Sequence, residues 1–292
     1  MANNIGGSRQ ASFAAPTARS VVANSPYGFG RIWAPVRVNR QGPWSFQLDT
    51  CASSCVLSQP LVDRLRLQPI KTSSVDVVGV TGRLSTQLVR VATLECGDIS
   101  LEDILCPVVP ELRGGVDGIV GGTALLDKSI EIDFFNGMLR LRKSLRRPRA
   151  RSAHTVPAYV NRGLMFIRGA RVETVQVRAV LDTAAETSIG NACLGRALRQ
   201  RFPHLPPTRP VEMLGHTAGS ECGERFSGLT LSMGTIAVRP FSPVMADVSA
   251  FKMWNLADVP ALMIGLDVLG WFAKLDIDFK RSSLSVTTNE AS

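Results

Sequence analysis

An eight-residue stretch, Gln47-Leu48-Asp49-Thr50-Cys51-Ala52-Ser53-Ser54, returns 133 positions later as Val180-Leu181-Asp182-Thr183-Ala184-Ala185-Glu186-Thr187. In each copy an apolar run delivers an Asp-Thr pair and then small residues, the pattern of a strand that carries a carboxylate out of a core and turns at once. A chain that repeats such a segment uses one structural unit twice. Two turns of this kind facing each other would set two carboxylates at one seam.

Other landmarks repeat in the same order. A hairpin turn at Gly97 corresponds to Gly234, Ile119-Val120-Gly121 to Met263-Ile264-Gly265, and Ile130-Glu131-Ile132-Asp133-Phe134 to Leu275-Asp276-Ile277-Asp278-Phe279. The offsets grow from 133 through 137 and 144 to 145, so insertions in the second copy account for them without any change of order. Ahead of Asp49, Ile32 to Val38 and Trp44 to Leu48 read as strands joined through residues 39–43. A brief helix is expected after Pro60 and another over residues 194–202, stopped by Pro203. Gly79-Val80-Thr81-Gly82 and Leu214-Gly215-His216-Thr217-Ala218-Gly219 read as tight hairpin tips in corresponding places.

Bulk properties exclude several classes. The chain has 292 residues and is 45% hydrophobic, enough for real cores. Basic residues outnumber acidic ones by 33 to 24, but Arg140, Arg142, Lys143, Arg146, Arg147, Arg149 and Arg151 supply most of the surplus. Charge so concentrated argues against a nucleic-acid-wrapping surface and reads as a solvated linker. Six cysteines are too few for a disulfide framework at this length and read as free, mostly buried thiols. Neither Cys51 nor Cys55 has the partners of a zinc site, so no metal and no cofactor is expected. The Ala, Ser, Asn and Gly of residues 1–25 read as a flexible tail without the apolar core of a secretory signal, and no stretch suits a membrane span, which favours a cytoplasmic location.

Two Asp-Thr turns, two glycine-bearing hairpins and two apolar-apolar-Gly elements together resemble the retropepsin-like branch of the pepsin-type aspartic proteases. The resemblance covers about residues 31–143 and 162–287. It implies an all-β protein of two similar acid-protease β-barrel lobes with a peptide cleft between them. The expected organisation is a tail at 1–30, a first lobe at 31–143, a basic linker at 144–161 and a second lobe at 162–292, a pseudo-dimer within a monomer. It further implies an aspartic endopeptidase acting on peptide or protein substrates, with Asp49 and Asp182 activating a water molecule. Thr50 and Thr183 would reach across to brace the pair, and Gly121 and Gly265 would support the turns from beneath. Gly79, Val80, Thr81 and Gly82, with Gly215, His216 and Thr217, would form flaps over the substrate. The family turn reads Asp-Thr-Gly, whereas Cys51 and Ala184 stand at the glycine positions here, followed by Ala52 and Ala185. A competing reading is a peptide-binding module that keeps the cleft and has lost hydrolysis.

Other constellations carry less. Nothing local marks Cys51 or Cys55 as an activated thiol, and the glycines around Gly118 match no phosphate-binding pattern. Asp133 and Asp278 read as solvent-facing strand positions.

Overall fold

A computed structural model describes residues 22–25, 28–144, 153–217 and 219–288. The fold is all-β, with short helices at the turns. In the first half, eight strands form one sheet in which Gln41–Asp49 lies between Gly28–Val38 and Gly118–Gly121. Gly28–Val38 also pairs with Gly82–Cys96, so the sheet closes on itself. Its interior holds Ile32, Val36, Phe46, Leu48, Val89 and Val91, each with no exposed surface, as alternation along half-buried strands requires.

The first hairpin turns more tightly than the Gly-Pro sequence suggests. Asn39 and Arg40 alone make the turn, both with positive φ, and Val38 pairs with Gln41. Two left-handed residues match the twist of the flanking strands. Asn39 also accepts bonds from the Ala92 and Thr93 amides through Oδ1, at 2.9 and 3.1 Å. Helix Gln59–Leu65 begins just before Pro60 rather than after it, with Ser58 accepting from the Leu61 amide and Pro60 in the first turn. The second helix spans Ala192–Arg201 rather than starting at Leu194, because Asn191 caps it by accepting from the Leu194 amide at 2.9 Å.

The second half repeats the central arrangement. Arg178–Leu181 runs parallel to Ala261–Ile264, which runs antiparallel to Ile189–Gly190. In the first half, Gln41–Asp49 is likewise parallel to Gly118–Gly121, and that strand is antiparallel to Val56–Ser58. Four strands of the second half form a separate sheet in the order Val175–Gln176, Arg171–Val172, Leu229–Met233 and Ile236–Phe241.

A five-stranded antiparallel sheet joins the halves. Its centre is Lys128–Asp133 from the first copy against Phe272–Asp278 from the second, with Ile132 opposite Leu275 and Ile130 opposite Ile277. All four of those side chains are fully buried. Here the expectation for two residues changes. Asp133 and Asp278 are not solvent-facing: they are 0% and 5% exposed. Each sits at the end of its strand and accepts the amide three residues on, from Asn136 and Arg281, both at 2.9 Å, so the carboxylate fastens the closing turn. Lys274 Nζ lies 2.7 Å from Asp133, and Ser144 Oγ donates to Asp278.

The linker expectation also fails in part. Ala153–Val156 adds the fifth strand by pairing with Ser283–Thr288, and Ala158–Asn161 pairs with Leu164–Ile167. Most of the arginine-rich run, residues 145–152, lies outside the described residues. So does most of the expected tail, but strand structure begins earlier than foreseen, at Val22–Ser25 against Gly28–Val38. All six cysteines are free thiols, with Cys55, Cys96 and Cys106 buried and Cys222 exposed. Among the described residues no helix is long and apolar enough to cross a membrane.

Candidate active site

The two Asp-Thr turns meet at the centre of the molecule. Asp49 ends its strand directly opposite Gly121, and the Asp182 amide donates to Ile264 O over 2.9 Å. Each apolar-apolar-Gly strand therefore runs beneath one turn, and glycine is needed there for room. A Cβ on Gly121 would lie 2.6 Å from the Ala52 Cβ and 2.9 Å from the Asp49 carbonyl oxygen. A Cβ on Gly265 would lie 2.7 Å from the Ala185 carbonyl oxygen. Backbone packs against backbone in a way that a side chain would block.

Within each turn the carboxylate folds back on the amides that follow it. Asp49 Oδ1 accepts from Cys51 N at 2.7 Å and Ala52 N at 2.9 Å; Asp182 Oδ1 accepts from Ala184 N at 2.8 Å and Ala185 N at 3.2 Å. The threonines then cross between the halves. Thr50 Oγ1 donates to Leu181 O at 2.7 Å and accepts from Thr183 N at 3.1 Å. Thr183 Oγ1 donates to Leu48 O at 2.9 Å and accepts from Thr50 N at 3.2 Å. Thr50 and Thr183 are 2% and 0% exposed, so water does not compete for these four bonds.

Burial and the nearby Asp49 charge push Asp182 up to about 7, against the pull of the Ala184 and Ala185 amides. Burial also raises Asp49 above the usual carboxylate range, and the Cys51 and Ala52 amides oppose that rise. Two carboxyls so placed cannot both ionise freely, and their protons belong to the pair. Cys51 packs with them: its Sγ lies 3.4 Å from Leu181 O, and burial together with the Asp182 and Asp49 charges drives its thiol well above its ordinary range. Cys51 is thus a neutral thiol beside two acids.

A cleft of about 1000 Å³ opens above the pair, lined by both aspartates. On the first-half side it carries Leu84 and Ile119, and on the second-half side Met213 and Trp254. The two hairpin tips close over it. Thr81 Oγ1 donates to Thr217 O at 2.8 Å and lies 3.1 Å from Thr217 Oγ1, and both residues are about 5% exposed or less. Gly79 and Gly215 make this meeting possible from opposite sides. A Cβ on Gly79 would approach Thr217 Oγ1 to 2.6 Å, and one on Gly215 would approach Thr81 Oγ1 to 2.7 Å. Gly82 pairs with Gly79 at the base of the first tip.

The structure adds residues that the sequence reading passes over. Gln47, 1% exposed, donates through Nε2 to Ala184 O at 3.1 Å and meets His216 Nε2 at 2.9 Å. The signal was present, since a polar residue interrupts the buried Phe46-Gln47-Leu48 run. Arg31 Nε donates to Glu186 at 2.7 Å, a further tie between the halves. Beneath the second turn, Ser188 Oγ accepts from Gly265 N at 3.0 Å and donates to Asp267 at 2.6 Å. Six residues after Asp49 the corresponding position is Cys55, whose Sγ lies 3.7 Å from Gly121 O. No group of three or more His, Cys, Asp or Glu among the described residues could hold a metal ion.

Residues 34–124 match the family model described as aspartyl protease. That span contains the Asp49 turn, the first flap and Gly121. Over these residues the first half of the chain is similar to aspartyl proteases. The match stops before the second Asp-Thr turn. No curated protein matches the chain.

Proposed function

We propose that the protein is an aspartic endopeptidase that hydrolyses peptide bonds with water activated between Asp49 and Asp182. The observation that carries this reading is the reciprocal Thr50 and Thr183 bonding, which fixes two carboxylate turns against each other below a peptide-sized cleft. With one proton shared by the pair, the ionised carboxyl takes a proton from water as it attacks the scissile carbonyl carbon, and the protonated one donates to the carbonyl oxygen. Collapse of the resulting diol returns a proton to the leaving amine. The raised proton affinity of Asp182 supports this division of labour, because an acid that keeps its proton near neutrality remains available as a donor.

A second reading, a peptide-binding module without hydrolysis, is favoured by one feature. Cys51 fills the glycine position of the first turn and occupies space beside both carboxyls. The test is incubation of the protein with a library of denatured-protein peptides, followed by mass spectrometry of new termini. An endopeptidase produces new termini that disappear in both Asp49→Asn and Asp182→Asn. Peptides retained without any cleavage by the wild type would establish the binding module instead.

A further inference from the structure

The two flap tips differ in how they are fastened. Val80 of the first flap crosses to the second half and packs against the apolar cluster that holds Phe166, Ile189 and Phe251. His216 of the second flap crosses the other way, and both of its ring nitrogens bond to polar groups of the first half. Arg113 N donates to His216 Nδ1 at 3.1 Å, so that nitrogen carries no proton in this arrangement. Nε2 then carries the proton and faces Gln47 Oε1 at 2.9 Å. Gln47 passes the bond on, donating to Ala184 O beside Asp182. Arg113 Nε also holds the flap backbone through Gly215 O at 2.8 Å.

We infer that His216 is a proton-sensitive latch and positioning residue: its neutral imidazole fastens the second flap to the first half, and its protonation releases that flap while the first stays closed. Proton uptake from solvent at Nδ1 turns the acceptor into a donor facing the Arg113 N–H. The new charge also stands near two guanidinium groups. Burial, aided by Arg31 from the strand Gly28–Val38 and Arg113 from the loop before Gly118, holds the imidazole down to about 4. Glu186 is bonded to Arg31, while Glu111 beside Arg113, Glu212 on the flap hairpin itself and the Asp49 and Asp182 pair line the same cleft. None of these carboxylates is within hydrogen-bonding distance of the His216 ring, whose two nitrogens are taken by Arg113 N and Gln47 Oε1. Val80 is held in its cluster by apolar packing and not through an imidazole, so the first flap has no such latch.

The latch needs no chemistry at the aspartates, so it stands or falls apart from the hydrolytic reading. A freed flap returns the imidazole to its ordinary range near 6.5. Linkage then makes opening easier by roughly tenfold or more between pH 7.5 and pH 5, where the open form takes up a proton that the closed form resists. The test is amide hydrogen exchange of the full-length protein, read on peptides covering residues 209–225 and referred to residues 76–87 of the first flap as internal standard. In the wild type the second flap should lose protection relative to the first at pH 5. His216→Gln can still accept from Arg113 N and donate to Gln47 but cannot titrate, so its second flap should stay protected at both pH values. His216→Leu should leave that flap unprotected at both, and Gln47→Met should weaken it from the opposite partner. Equal pH responses in wild type and His216→Gln, or full protection in His216→Leu, would overturn the latch.

Discussion

Thr50 and Thr183 each donate a hydroxyl proton to a carbonyl of the opposite half and accept the other's backbone amide, at 3.1 and 3.2 Å. Removing the Thr183 hydroxyl takes a partner from the Thr50 amide and the Leu48 carbonyl, and removing the Thr50 hydroxyl strands the Thr183 amide and leaves the Leu181 carbonyl the longer Cys51 thiol contact. Thr50→Val or Thr183→Val should therefore cost about 2–4 kcal/mol of stability and reduce cleavage more than it reduces peptide binding. Thr→Ser at either position keeps the hydroxyl and should retain most of both. Chemical denaturation and single-turnover cleavage check the pair of effects, and a Val variant as stable as wild type would remove the grip as a structural cause.

Cys51 tests the departure from the family turn. Its thiol shares Leu181 O with the Thr50 hydroxyl, which already makes the shorter bond at 2.7 Å, so the thiol is dispensable for satisfying that carbonyl. Cys51→Gly should fold and cleave at least as well as wild type. Because burial and two carboxylates keep the thiol neutral, iodoacetamide at pH 8 should modify the exposed Cys222 well before Cys51. Rapid alkylation of Cys51, or a folded and inactive Cys51→Gly, would give the thiol a role that the geometry does not.

Asp182 should weaken the fold at high pH. Its folded proton affinity lies above its unfolded one, so the folded state holds more protons between about pH 4 and 7 and loses stability as pH rises through that window. Asp182→Asn keeps an oxygen for the Ala184 and Ala185 amides and carries no charge. It should raise the melting temperature at pH 8, show little gain near pH 4, and abolish cleavage. Equal melting shifts at the two pH values would contradict the raised proton affinity.

Ala52 and Ala185 offer no hydroxyl to the carboxylates they follow. Ala52→Ser with Ala185→Ser would add a donor to each, stabilise the ionised forms and lower the proton affinity of the pair. The activity profile of the double variant should shift toward acid. An unmoved profile in an active double variant would mean that other groups set the proton affinity.

The repeat made the core of this site legible, because an Asp-Thr pair leaving an apolar run and an apolar-apolar-Gly strand are local patterns with narrow structural meaning. Gly121 and Gly265 lie against the two turns, the two hairpin tips meet, and both threonines bond across the halves. Partnerships between distant polar residues were not legible. Nothing local joins His216 to Gln47, 169 positions away, or Arg31 to Glu186. Asp133 and Asp278 misled for another reason: alternation assigns a face but not the end of a strand, where a buried carboxylate finds turn amides. Ala153–Val156, beside an arginine-rich run, has no core-facing pattern of its own and becomes a strand only because Ser283–Thr288 offers an edge.

The most direct test of the central claim is the pH dependence of kcat/KM for one library-derived peptide, measured for wild type, Asp49→Asn and Asp182→Asn. A dyad sharing one proton predicts a bell for the wild type, with its alkaline limb near pH 7 where the second proton leaves, and a loss of at least about a thousandfold in both variants. A wild-type rate that stays flat through pH 7 to 9, or an Asn variant that keeps the bell, would contradict it.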